Sequence, residues 1–134
     1  SSSGVYEGGD MEKVILVKRD QRFNETTQTS NMIRQVGVGK ETCESKGLWV
    51  GFVSSPPGPS GPHHHGDAES AIYVLKGNIR MYFGDNLDQF VDASDGDFLY
   101  VPPNTVHIEE NVSENEMVEL IVARNTTESL VFNV

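Results

Sequence analysis

Apolar residues along this chain come in short bursts and show no sustained helical period. Val14-Ile15-Leu16-Val17, with charged residues on both sides, reads as a first strand. Residues 32–38 and 47–53 alternate well enough for two more strands, the second carrying Leu48, Val50 and Phe52 on one face and Trp49 on the other. The clearest signal is the pair of β-rich runs at 71–75 and 79–84. Gly77-Asn78 lies between them, and because both residue types tolerate positive φ the pattern predicts a hairpin. Further runs at 89–91, 98–101, 106–109, 117–122 and 130–134 are separated by turn residues. Many short strands at a spacing of about ten residues predict an all-β sandwich or barrel with little or no helix.

The stretches between the strands differ in kind. Residues 1–10 are small and polar and read as a disordered tail, leaving 11–134 as a single domain. Residues 19–30 are rich in Thr, Gln and Asn and read as a loop. Residues 54–62, Ser-Ser-Pro-Pro-Gly-Pro-Ser-Gly-Pro, have a linker's composition, yet neither side holds enough apolar sequence for a core of its own. A stiff loop that delivers the following residues into place fits better, since a polyproline-like stretch reduces the entropy lost when they are fixed.

Composition narrows the function classes. A formal net charge of -10 argues against nucleic acid and anionic membrane surfaces, which require clustered Lys and Arg. No apolar run approaches the roughly 18 residues of a membrane span. The single cysteine, Cys43, excludes an internal disulfide and a cysteine-based zinc cluster, and agrees with a reducing, cytoplasmic setting. Its polar surroundings, with no histidine near, read as an ordinary thiol. The sequons at Asn24, Asn111 and Asn125 carry no weight without a signal peptide.

The four histidines carry the chemistry. His63, His64 and His65 follow the proline-rich stretch, and His107 follows Pro102-Pro103-Asn104-Thr105-Val106. On a strand, His63 and His65 share a face while His64 points away. His107, from a neighbouring strand, would close a third corner around a metal ion, imidazole being the commonest side-chain metal ligand near neutral pH.

Here the sequence resembles the cupin superfamily. The family's first motif sets a His-x-His before a glutamate and a strand-closing glycine, matched by His63, His65 and Gly77; its second is matched by Gly96, Pro102, His107 and Asn111, with Asn104 in a glycine slot. Asn is the residue next most willing to adopt the backbone conformation that glycine favours. The resemblance covers residues 61–111 and implies a cupin jelly-roll β-barrel binding one divalent transition metal per chain (zinc, iron, nickel or manganese) through His63, His65 and His107. One position departs: counted back from Gly77, the family's glutamate falls on Ser70, with Glu69 one residue early. A one-residue offset turns a side chain to the other sheet face unless a bulge intervenes. The chain is also similar around the triple histidine to aromatic-polyketide cyclases of the cupin type, in which histidines alone hold the metal. The fourth ligand is therefore water, Glu69 or His64.

Other residues are candidates around the centre. Glu109 lies two past His107, on the same face, as a base or an orienting carboxylate. Trp49, Tyr73, Met81, Phe83, Phe98 and Tyr100 are candidates for an apolar pocket wall, and Arg34 and Arg80 for pairing with a substrate carboxylate. The expected function is that of a metal-dependent enzyme acting on a small organic substrate by Lewis-acid and proton-transfer chemistry, isomerase- or cyclase-like. The alternatives are an iron-dependent dioxygenase and a non-catalytic cupin that binds a metal or small ligand. Open sheet edges, with strands at 13–17 and 129–134 as contacts, point to a homodimer.

Overall fold

The computed structural model describes residues 13–134; the tail assigned to residues 1–10 lies outside them. The elements are almost all strands: β1 (Ile33–Val38), β2 (Trp49–Ser55), β3 (Gly58–Pro59), β4 (His63–His64), β5 (Ser70–Lys76), β6 (Asn78–Phe83), β7 (Gln89–Ser94), β8 (Phe98–Val101), β9 (Ile108–Asn111), β10 (Val118–Arg124) and β11 (Phe132–Asn133). Among the described residues, helix is confined to a 3-10 turn at Arg19–Gln21 and one short α-helix, α1 (Lys40–Cys43). The strands form a five-stranded sheet in the order β1-β2-β10-β5-β8, a four-stranded sheet in the order β3-β9-β6-β7, and a β11-β4 pair. The architecture is the jelly roll that the sequence leads one to expect.

Period-two alternation explains what fills it. On β10, Val118, Leu120, Val122 and Arg124 are buried and the residues between them are half-buried. The core joins Val36, Trp49, Val53, Ile72, Val74, Ile79, Met81, Val101, Val118, Leu120 and Val122. Each such side chain removed from water contributes roughly 1.5–3 kcal/mol.

β2 buries the face that carries Trp49, Gly51, Val53 and Ser55, while Leu48, just before the strand, is exposed. Gly51 makes room for the indole: a Cβ on it would sit 2.4 Å from Trp49 Cη2.

Two expected elements differ. Among the described residues no strand pairs with 14–17, and Val14 and Leu16 are 102% and 73% exposed. The turn at Gly77-Asn78 does not close a hairpin. β5 pairs with β10 and β8, whereas β6 pairs with β7 and β9, so the chain crosses here from one sheet to the other. Gly77 takes φ +106° at this corner and lies against Val118, whose Cγ2 would be 2.6 Å from an added Cβ. Gly77 uses the positive φ that a tight turn requires, while tertiary packing decides which strands the turn joins.

Candidate metal centre

The proline-rich stretch is a built element. Its β3 is laid antiparallel along β9, with Gly58 opposite Asn111 and Pro59 opposite Glu110. Ser60 N–H then donates to the Glu109 carbonyl at 2.8 Å, and Ser60 Oγ accepts from Glu109 N–H at 3.0 Å. Three residues on, His63 N–H donates to the His107 carbonyl at 3.1 Å and His107 N–H to the His63 carbonyl at 2.9 Å. The stretch therefore locks the first histidine segment beside the second. Asn104, in the glycine slot, adopts φ +55° and donates its backbone N–H to the Gly66 carbonyl, so the turn before His107 is tied to the end of the triple histidine. Asn111, buried at the far end of β9, donates from its amide to the carbonyls of Ser55 and Glu116 and accepts from Ser113; it pins backbone.

His63, His65 and His107 are buried with one ligand nitrogen each, all within 4.8 Å of one another. Each Nδ1 meets a backbone carbonyl: His63 that of Gly61 at 2.9 Å, His65 that of Leu130 at 2.9 Å, His107 that of Thr105 at 2.8 Å. A carbonyl only accepts, so each Nδ1 carries the proton and each Nε2 presents a lone pair. Three lone pairs converging in a buried space repel one another unless a cation lies between them.

Glu109 completes the group. Its Oε2 is 3.3 Å from the Nε2 of both His63 and His107. Those two Nε2 atoms and Glu109 Oε1 are buried with no hydrogen-bond partner. Burial raises the Glu109 carboxyl pKa, whereas a proton on Nε2 of His107 or His63, donated to Oε2 when no ion is present, draws it well below the usual carboxylate range; a metal ion would take that proton's place. Burial likewise lowers the His63 imidazole, against the pull of Glu109. His65 falls to about 2, first through burial and then through the charge of Arg124. Neutral imidazoles beside an ionised carboxylate are the donor set that a divalent transition metal takes. Since such an ion sits about 2.0–2.1 Å from imidazole nitrogen, these side chains fit it with small adjustments.

The other candidates lie elsewhere. Glu69 is exposed, with its carboxylate bonded by Tyr100 Oη at 3.0 Å, and Ser70 takes the inward position at 2% exposure. His64 points away, stacked on Phe132 with ring centroids 5.0 Å apart and its Nδ1 accepting from Gly66 N–H. Strand alternation, with no bulge at either place, turns both side chains from the centre. Of the pocket candidates, Trp49 and Met81 are buried inside and Phe83 is half-buried on the Met81 face of β6. Tyr73, Phe98 and Tyr100 are on the outer face of the five-stranded sheet, where Phe98 is 74% exposed and lies tilted against Tyr73, so these three do not line the space the histidines face. Arg80 pairs on the surface with Asp92 at 2.7 Å, whereas Arg34 is buried. Arg124 was not foreseen; its signal is a charge in phase with the core positions Val118, Leu120 and Val122.

Among the described residues no helix is long and apolar enough to cross a membrane. No curated protein matches the sequence. Solved structures do match in fold. The polyketide cyclase RemF from Streptomyces resistomycificus superposes with a TM-score of 0.69 at 16% identity, over 92% of this chain and 86% of that one. Oxalate decarboxylase OxdC from Bacillus subtilis gives 0.70 at 18% identity, over 82% of this chain but only 30% of that one. Peruvianin-I, a cysteine peptidase from Thevetia peruviana latex, gives 0.67 at 18% identity, over 84% and 69%. At such identities the likeness is one of fold. The family model of the cupin domain matches residues 51–123, which hold all three histidines and Glu109. The chain belongs to the cupin family.

Proposed function

We propose that this cupin is a metal-dependent enzyme that transfers a proton next to a carbonyl of a small organic substrate, in an isomerisation or cyclisation. The observation that carries the reading is the set of three buried imidazoles, each with Nδ1 held by a carbonyl and Nε2 turned to the same point. His63, His65 and His107 hold the ion, and a divalent ion there supplies Lewis acidity towards a carbonyl oxygen. Glu109 takes the proton. Its Oε2 is engaged with His63 and His107, and its Oε1, buried and without a partner, is the atom free to accept one. Turnover by zinc-loaded protein under strict anoxia tests this reading; turnover that requires iron and dioxygen overturns it.

We also propose a homodimer in which residues 14–17 of each chain reach the other copy. They are apolar and unpaired, and β8, at the edge of the five-stranded sheet, presents exposed Phe98 and Tyr100.

A further inference from the structure

Across three adjacent strands of the five-stranded sheet, one register row points into the barrel with unused hydrogen-bond donors. Arg124 on β10 lies directly between Trp49 on β2 and Ser70 on β5. All three are buried, at 3%, 0% and 2% exposure. Arg124 Nε and Nη1, Trp49 Nε1 and Ser70 Oγ have no hydrogen-bond partner, although buried donors are almost always satisfied. The Arg124 guanidinium lies 4.2 Å from the centre of the Trp49 ring, which steadies it without using its N–H groups.

A second guanidinium is near. Arg34 on β1 donates to Thr29 Oγ1 at 2.8 Å, and its Nε is left without a partner. Among the described residues neither arginine has a carboxylate within ion-pair distance. Glu109 is the acidic group whose charge reaches both, and it is already engaged with two histidines. Two buried cations thus face one buried anion, before any metal is counted. An uncompensated buried charge is expensive, so an anion that meets these groups is bound favourably.

We propose that the row formed by Arg124 and Ser70, backed by Arg34, binds the carboxylate of a small organic acid, placing the rest of the molecule towards the histidines. This rests on the reading of that centre as the reaction site and adds the class of substrate: a carbonyl compound that is itself an acid. Guanidinium N–H groups and a hydroxyl together match the two oxygens of a carboxylate. It also gives Ser70 a use. At the position where the family's motif has an acidic ligand, this chain has a neutral donor, which an anion can approach without repulsion.

The test uses the full chain stripped of metal by a chelator, so that acids cannot bind through the ion. Trp49 is the only tryptophan, and its stacking on Arg124 makes its fluorescence the readout. Acetate, malonate and benzoate are titrated against acetamide, malonamide and benzamide. At least one acid is expected to bind ten-fold or more tightly than its amide. Arg124→Gln is expected to remove that difference, Ser70→Ala to weaken the acid three- to ten-fold, and Arg80→Gln, on the surface, to change nothing. If no acid is preferred over its amide, or if Ser70→Ala binds the acid as tightly as the parent and a folded Arg124→Gln keeps the preference, the inference is overturned. Should Arg124→Gln fail to fold, Ser70→Ala decides alone. Zinc titration of the same protein separates the two readings. Acid preference with no metal uptake removes the metal centre and keeps the anion site; metal uptake with no acid preference does the reverse.

Discussion

His63 and His107, far apart in sequence, exchange both backbone hydrogen bonds, at 3.1 and 2.9 Å, as an isolated bridge outside the main ladders. Their ring centroids are consequently 4.4 Å apart, and the side-chain geometry follows from main-chain pairing. A site positioned in this way survives loss of one imidazole as a fold while failing as a ligand set.

Alanine at His65 or His107 is accordingly expected to lower zinc affinity by at least a hundred-fold, with the β-sheet circular dichroism unchanged. His64→Ala and Glu69→Gln, whose side chains point away from the centre, are expected to leave it unchanged. Competition against a chromogenic chelator measures all four, and an equal loss in the Glu69 variant would show that the strand can shift register.

Glu109→Gln removes the buried negative charge but keeps the shape. Zinc affinity is expected to fall about ten- to hundred-fold, the size usual for a group that steadies metal-bound histidines. Proton transfer is expected to fall more, by about 10²–10⁴-fold. Exchange of a substrate-analogue proton with deuterated water reads the second effect separately from the first.

Acid is expected to destabilise the metal-free protein through two groups acting in the same sense. His65 stays neutral in the fold down to about 2 but takes a proton near 6.5 when unfolded, so stability falls with pH below that value. Glu109, depressed in the fold, contributes stability above its ordinary 4.5 that is lost as pH drops through its lower folded value. At one pKa unit per 1.36 kcal/mol, His65 alone accounts for about 2 kcal/mol between pH 6.5 and 5. Urea unfolding of His65→Gln should show a pH slope flatter by that amount; an unaltered slope would mean that His65 is not held neutral.

Gly51→Ala is expected to cost about 1–3 kcal/mol by overpacking, since the new methyl group meets Trp49 Cη2 at 2.4 Å. Thermal unfolding reads the loss, and a blue or red shift of tryptophan emission reports displacement of the ring.

Leu16→Asp together with Phe98→Asp is expected to turn a dimer into a monomer by sedimentation equilibrium, with metal content retained. A parent protein already monomeric at high micromolar concentration would remove the dimer proposal.

How much of this was legible in the residues depends on which physics decides each feature. Alternation is local, and it placed His63 and His65 together, His64 apart, and Ser70 rather than Glu69 inward. Asn104 at positive φ was legible too, because a single residue's backbone preference governs it. Partner choice between strands is not local. Gly77 and Asn78 have the chemistry of a hairpin turn, but the packing of Val118 against Gly77 at a corner between sheets decides their use. Glu109 was legible as a carboxylate on the histidine face, while its contact with two imidazoles needed the β3–β9 pairing. Tyr73, Phe98 and Tyr100 resembled pocket walls because aromatic residues on a strand look alike from either face when the parity of the next strand is unknown.

One consequence concerns the order in which the molecule is made. The carbonyl that orients His65 belongs to Leu130, and β4 is paired by β11, whose Phe132 lies opposite His64. During synthesis the first three histidines therefore leave the ribosome some sixty-five residues before the group that orients one of them. Metal capture by the finished geometry is thus a late step that follows release of Leu130. A nascent chain arrested between His107 and Leu130 would offer zinc the His63–His107 pair with His65 not yet oriented.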